Sequence, residues 1–415
     1  MSMTQTEVSS GPLSGIRVLD LSRVLAGPWA SQILGDLGAE ILKIEQPGQG
    51  DDSRRWGPPF LPDDSRDSAY FACANRNKRS IAVNLADPEG AELIRKLAAQ
   101  SDIVLENFRV GSLKKCGLDY ESLCTVNPSL IYCSITGFGQ DGPNKDLGGY
   151  DFLIQGMSGL MSVTGRPDDV PGGGPMKVGI PVSDLVTGLY ATISILAALN
   201  HRNATGEGQH IDVALLDSQV ALLGHQASNY LNGGLIPRRL ANEHPNVVPY
   251  RDFSTADGEV IVALGNDSQF RGFCRLLGCP DIAEDPRFVE ASGRNTNRTA
   301  LYEVLEPAVR QWRSADLLEA MEIAKLPGGQ VNEIPQTLAS PQIVHRGMVH
   351  ELSRRDGTPV KVLGFPGKFS KTPPDYRHAP PRLGEGTVEM LQRTLELSES
   401  ELVRLQLAGI IASGV

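Results

Sequence analysis

A chain of 415 residues with a net charge of −10, 40% hydrophobic and 21% charged residues has the balance of a water-soluble globular protein. Its length predicts two domains rather than one core. Its basic residues are scattered along an acidic chain, which excludes nucleic acid and an anionic membrane surface as main partners. Six cysteines (Cys73, Cys116, Cys124, Cys133, Cys274, Cys279) form no CxxC pair and have no histidine at zinc-finger spacing. They read as reduced thiols of a cytoplasmic protein without a metal site.

Residues 1–11 lack the basic start and apolar centre of a signal peptide and read as a loose tail. Strand-like and helix-like segments then alternate. Strands are predicted over residues 16–21, 40–45, 81–84, 103–106 and 130–135. Helices are predicted over 27–37, with Pro28 in its first turn, and over 88–100. This βαβ rhythm implies a Rossmann-like parallel sheet with helices on both faces. Residues 48–62 hold several turn formers and must loop out. The Gly- and Pro-rich stretch 166–175 reads as a mobile surface loop. Residues 185–199 are apolar but broken by Thr187, Gly188, Thr192 and Ser194. They predict a buried helix rather than a membrane span.

A turn at 203–209 precedes a strand at 210–214 and a helix running through Leu223. Near Asn232 the pattern changes. Residues 248–253 and 260–264 alternate about Asp257-Gly258 as a hairpin. Helices follow at 268–277 and 299–312. The expected domains are a large α/β domain over 12–231, a smaller α+β domain over 232–325, and a segment over 326–415 that returns to the first. No internal repeat is visible.

Asp184 opens the apolar helix. On residues alone, Ser183 or Asp184 is a good helix N-cap. A helix N-terminus also favours an ionised carboxylate, which is a competent nucleophile toward a thioester. Several blocks surround it. They include 13–28 with Arg23-Val24-Leu25-Ala26-Gly27-Pro28, then 34–40, Lys43-Ile44-Glu45, Asn75 to Ser80, Glu106-Asn107-Phe108, Ser134 to Gly139, Gly149-Tyr150-Asp151, Gly179 to Asp184 and Thr205 to Gln209. In order and spacing these resemble the family III CoA-transferases (CaiB/BaiF type), over residues 12 to about 383.

That resemblance implies an interlocked, ring-like homodimer. It makes Asp184 the nucleophile that becomes an aspartyl-CoA thioester, with acyl-CoA and carboxylic acids as substrates and no permanently bound cofactor. It implies CoA contacts at Val24, Leu25, Ala26, Lys78, Arg79, Asn107, Phe108 and Lys115. Backbone N–H groups after Arg23 and at Gly137 to Gly139 are candidate oxyanion donors. Further shared stretches, among them Gly50 to Arg54 and Trp56 to Phe60, point within the family to dicarboxylic acids such as succinate and glutarate. A distal carboxylate calls for a cation, and Arg54, Arg55, Arg238 and Arg239 are candidates, with Tyr150 and His244 as further pocket residues.

There are departures. Some relatives carry glutamine at Leu25, arginine at Gln46 and a glycine-rich lid, all missing here, which argues against a formyl-CoA:oxalate enzyme. The acyl-CoA racemases of the same fold place histidine at Tyr150. A phenol with a pKa near ~10 is a poor acid/base partner at neutral pH. A nicotinamide oxidoreductase is a rival from another class, but the turn after the first strand lacks GxGxxG. A non-catalytic CoA-binding protein is the second rival.

Overall fold

The computed structural model describes residues 11–414. The tail expected over residues 1–11 therefore lies, apart from Gly11, outside the described residues. The chain divides into two compact units. The large unit holds the residues up to Leu160, then Lys177–Gly234 and Val344 onward; the small unit holds Met161–Met176 and Leu235–Ile343.

In the large unit the βαβ rhythm takes the expected form. Strands β1 (Arg17–Asp20), β2 (Glu40–Glu45), β3 (Lys78–Val83), β4 (Ile103–Glu106), β5 (Ile131–Thr136) and β6 (Gln209–Ala214) run parallel in the order β3-β2-β1-β4-β5-β6. A seventh strand, Ile411–Ala412, adds antiparallel to β3. The order reverses at β1, which lies between β2 and β4. In open α/β sheets ligands bind outside the carboxyl ends of the strands at such a reversal.

Alternation along β1 sends Val18 to one face and Leu19 and Leu21 to the other. One face is covered by α1 (Ala26–Asp36) and α4 (Val182–Thr205), through Ala30, Ile33, Leu34, Ala191 and Ile195. The other is covered by α2 (Pro88–Ala99) and the terminal helices Thr387–Leu395 and Glu399–Leu407. Two further helices, α3 (Asp151–Met157) and α5 (Leu215–Leu222), pack against α4.

Residues 48–62 contain one short 3-10 turn, Asp52–Arg55, in an otherwise looped stretch. At 24 residues, α4 is longer than the apolar run suggested, and it is the one described helix long and apolar enough to cross a membrane. Its packing against α1, α3, α5, β5 and β6 makes it a core helix of this unit. The stretch expected as a surface loop instead pairs as a short hairpin, Gly165–Arg166 with Gly174–Pro175.

The small unit builds its own core. Strands Tyr250–Ser254 and Glu259–Ala263 pair antiparallel, with Val260 opposite Phe253, and Gly328–Gly329 adds a third strand. Phe270 and Phe273 from helix Asp267–Leu276, Leu301 and Leu305 from helix Arg298–Val309, and Met321 close it.

Candidate active site

The switch point is built around a strained loop. Between β1 and α1 the chain passes through Val24, whose φ is 70°. A β-branched residue in the left-handed region is costly, on the order of 1–3 kcal/mol, and is held only where its surroundings over-determine it. Here they do. The Arg23 N–H donates to Asn107 Oδ1 at 2.8 Å, and Asn107 Nδ2 donates back to the Arg23 carbonyl at 2.7 Å. The Val24 N–H donates to both Asp51 oxygens, at 3.1 and 3.2 Å. The reciprocal pair staples the end of β1 to the end of β4 across the reversal of strand order. The Arg23 guanidinium lies 5.0 Å over the Phe108 ring. A helix leaves its first N–H groups without intrahelical acceptors, so Ala26 and Gly27 present theirs at the head of α1.

Buried charges lie behind this loop. Asp51 is paired with Lys43 at 2.9 Å, both side chains fully enclosed. Burial alone would raise the Asp51 carboxyl, but Lys43 and the Ser53 hydrogen bonds hold it far below the usual range. Lys78 is likewise enclosed. It pairs with Asp20 at 3.2 Å and donates to the Pro28 carbonyl at 2.9 Å. Burial pulls its ammonium down to about 8 despite Asp20. Arg54 bridges Glu45 at 2.7 Å and Asp67 at 2.9 Å and stacks 3.8 Å over Phe71.

Asp184 stands in the first turn of α4, half-buried. The N-cap is Pro181, rather than the Ser183 or Asp184 read from sequence, and it offers no side-chain hydrogen bond. The missing cap comes from α3, where Asp151 Oδ1 accepts the Ser183 N–H at 2.8 Å. Burial pushes the Asp184 carboxyl up to about 7, and the Asp151 charge adds in the same direction. Tyr70, on the short helix Ala69–Ala72, has its hydroxyl pushed well up, first by burial and then by Asp184.

One turn beyond Asp184, on the same helix face, Gly188 lets α4 lie directly on the head of α1. A Cβ there would come within 2.7 Å of the Ala26 carbonyl and 3.1 Å of the Trp29 side chain. The carboxylate, the strained loop and Tyr70 thus share one end of the sheet. Elsewhere in the large unit a cavity of about 200 Å³ is lined by Glu106, Arg109, Lys114, Tyr120, Ser134 and His210, among others.

Family III CoA-transferase sequences match this chain as a family over residues 13–387. The chain is a family III CoA-transferase. Succinate–glutarate CoA-transferase of Agrobacterium fabrum is 47% identical over 94% of this chain and 97% of its own length. Human succinyl-CoA:glutarate CoA-transferase is 40% identical over 96% and 90%. A solved CaiB/BaiF family protein of Brucella suis superposes with a TM-score of 0.81 at 45% identity, covering 92% of this chain and 99% of that one. The resemblance read from the ordered motif blocks is borne out.

Within this transferase the sequence-derived site residues do not form one cluster. Asp184, Val24, Leu25, Ala26, Asn107 and Phe108 gather at the switch point, although the Leu25 and Ala26 side chains turn into the core and leave backbone for a ligand. Tyr150, at 73% exposure, immediately precedes Asp151. Lys115 is exposed on the short turn Leu113–Cys116, and Arg79 is half-buried on β3 within the electrostatic reach of His378 and Glu389.

Lys78 and Arg54 are internal. Both are enclosed and ion-paired with carboxylates, so they stand as framework charges out of reach of a phosphate or a substrate carboxylate. In the small unit, Arg238 is exposed, while Arg239 is bound to Asp168 and to the Arg166 and Ser162 carbonyls. His244 Nδ1 accepts the N–H groups of Asn246 and Val247, each at 3.0 Å, and thereby shapes a turn. Arg55 reaches Asp52 and the Gln49 carbonyl. Of the candidate oxyanion donors, the Gly139 N–H is taken by Thr136 Oγ1 at 2.9 Å, and those of Arg23 and Val24 by Asn107 and Asp51.

Sequence reasoning missed Asp51, Tyr70 and the capping role of Asp151. The first lies in the block Gly50 to Arg54, which already marked it. The other two depend on contacts between distant segments.

Proposed function

We propose that this transferase moves CoA between dicarboxylic acids, with succinyl-CoA or glutaryl-CoA as donor, through an aspartyl-CoA thioester on Asp184. The Asp184 carboxylate attacks the acyl carbonyl, giving a mixed anhydride and releasing CoA thiolate. The thiolate attacks the Asp184 carbonyl, forming the aspartyl-CoA thioester and freeing the first acid. The second acid's carboxylate attacks that thioester, again giving an anhydride and thiolate. The thiolate then takes the new acyl group and returns Asp184 as a carboxylate. Thiols ionise near ~8.5, so the thiolate leaves readily at each exchange. Holding it close after release is the main task of the site.

The observation that carries this reading is the placement of Asp184, a half-buried carboxyl at a helix start beside the switch point of the sheet. The names of the relatives support the dicarboxylate class. The proposed CoA contacts are the backbone of Val24 to Ala26, together with Asn107, Phe108, Arg79 and Lys115. For the distal carboxylate Arg238 is the proposed cation, and Tyr150 and His244 are proposed as further substrate contacts.

We place the enzyme in the cytoplasm, in keeping with six unpaired cysteines. We also propose the interlocked homodimer. Phe152, Leu189, Ile193 and Leu231 of the large unit are each exposed apolar side chains that such a partner would cover. A panel of acids offered to the enzyme with succinyl-CoA tests the substrate class. Glutarate and other dicarboxylates are expected to accept CoA, and exchange confined to monocarboxylates would overturn it.

A further inference from the structure

The start of α4 lacks the usual means of fixing a helix end. Pro181 has no side-chain acceptor, and an uncapped first turn frays. Yet the reacting carboxyl must be held in one orientation through two successive attacks. Asp151, 33 residues before Asp184 in sequence, supplies what is missing.

Its Oδ1 accepts the Ser183 N–H at 2.8 Å, and its Oδ2 accepts Gln155 Nε2 at 2.7 Å. Gln155 in turn accepts the Val178 N–H through Oε1 at 2.8 Å, so the segment leading into α4 is tied to the same frame. Ser183 Oγ donates to the buried Gln219 Oε1 of α5 at 2.8 Å, closing the frame from the other side. Gln155, Ser183 and Gln219 are all fully buried. The loop carrying Asp151 can approach because Gly149 lies against Gly137. A Cβ on Gly149 would meet Gly137 Cα at 2.3 Å.

Building on the proposed role of Asp184, we infer that Asp151 is a positioning residue for the transfer reaction: it caps the helix start that carries Asp184 and sets the charge beside that carboxyl. Few other charges face Asp184. Tyr70, from the helix Ala69–Ala72, is a neutral hydroxyl. On α1 the carboxylate of Asp36 is bound to Arg76 and Asn77. On α5 Asp217 is exposed, and β5 presents only Tyr132 and Cys133 as ionisable groups. On β6 His210 contacts Ser134, and Asp212 accepts the Gln140 N–H.

Asp184 must be ionised to attack, and burial, with the Asp151 charge, pushes its carboxyl up to about 7, so kcat/KM should rise with pH through that range. Removing a like charge lowers the pH at which Asp184 ionises. The test is kcat, KM and the pH profile of D151N and D151A, measured on the full chain with succinyl-CoA and the best acceptor. D151N keeps an acceptor for Ser183 and removes the charge. Its ratio of kcat/KM at pH 6 to that at pH 8 is expected to rise about threefold over the parent. D151A loses the acceptor as well. Its kcat is expected to fall by about 10–100-fold, with KM for the acyl-CoA changed far less. If D151A does not fold, Gln155→Ala loosens the same frame and is expected to lower kcat in the same sense.

Parent-like pH profiles in D151N together with parent-like kcat in D151A or Gln155→Ala would overturn the inference. A parent enzyme that transfers CoA undiminished after D184N would instead overturn the underlying assignment of Asp184. The two failures are therefore distinguishable.

Discussion

The small unit closes its core with Phe253, Val260, Phe270, Leu301 and Met321 and admits the guanidinium of Arg294, which is tied to Asp267 at 2.6 Å and lies 4.6 Å over Phe270. The large unit, by contrast, encloses Asp20, Lys43, Glu45, Asp51, Arg54 and Lys78 at and behind the carboxyl end of its sheet. An apolar core of the first kind needs only shape and burial to hold together. Enclosed ion pairs of the second kind are poor sources of net stability, because desolvation offsets most of the attraction. Their service here is geometric. Lys43 keeps Asp51 ionised and aimed, and Asp51 holds the N–H of Val24 in a conformation that residue would otherwise avoid.

This contrast can be broken experimentally, and the largest effect should come from the buried charges. Asp51→Ala leaves Lys43 enclosed without its nearest partner and releases Val24. A loss of about 3–5 kcal/mol is expected, visible as a lower midpoint in chemical denaturation, together with a loss of affinity for CoA. Phe270→Ala in the small unit should cost a similar or slightly smaller amount, about 3–5 kcal/mol. It should leave the KM for acyl-CoA of the remaining folded enzyme unchanged, and a large KM change would blur the division of labour. Gly188→Ala comes next. The added methyl meets the Ala26 carbonyl at 2.7 Å, so α4 must move off α1. Overpacking of this kind costs about 1–3 kcal/mol. Because the displaced turn carries Asp184, kcat should drop by more than the stability loss explains. The smallest effect is on an exposed side chain, Arg238→Ala. Its stability should stay within about 0.5 kcal/mol of the parent, while the KM for a dicarboxylate acceptor rises.

The two units also differ in what their sequences reveal. Strands β2 and β4 have the bounds read from the chain, Glu40–Glu45 and Ile103–Glu106, because each is a short β-branched and aliphatic segment set between helix-like stretches and loops. The hairpin of the small unit was likewise marked by alternation about Asp257-Gly258. Three things were not legible. The start of β3 was missed because two charged residues, Lys78 and Arg79, open it ahead of its apolar part, and only the fold shows Lys78 enclosed against Asp20. The 166–175 stretch looked structureless because Gly and Pro dominate it, yet Gly165 and Gly174 sit at φ values of 127° and 134° that let a tight hairpin close. The cap on α4 was sought next to Asp184, whereas it comes from Asp151, and a partner that distant leaves no local pattern. Asp184 itself was found through its family motif; composition and periodicity alone made it an ordinary helix start.

Asp184 carrying CoA between the two acids is the central step of the proposed reaction. The most direct measurement incubates the enzyme with succinyl-CoA alone, traps it with hydroxylamine or borohydride, and locates the modification by mass spectrometry. A hydroxamate or an alcohol at Asp184, formed only when acyl-CoA is present and lost in D184N along with turnover, is the predicted result. An unmodified Asp184 in an enzyme that is actively exchanging acids, or full turnover in D184N, would contradict it.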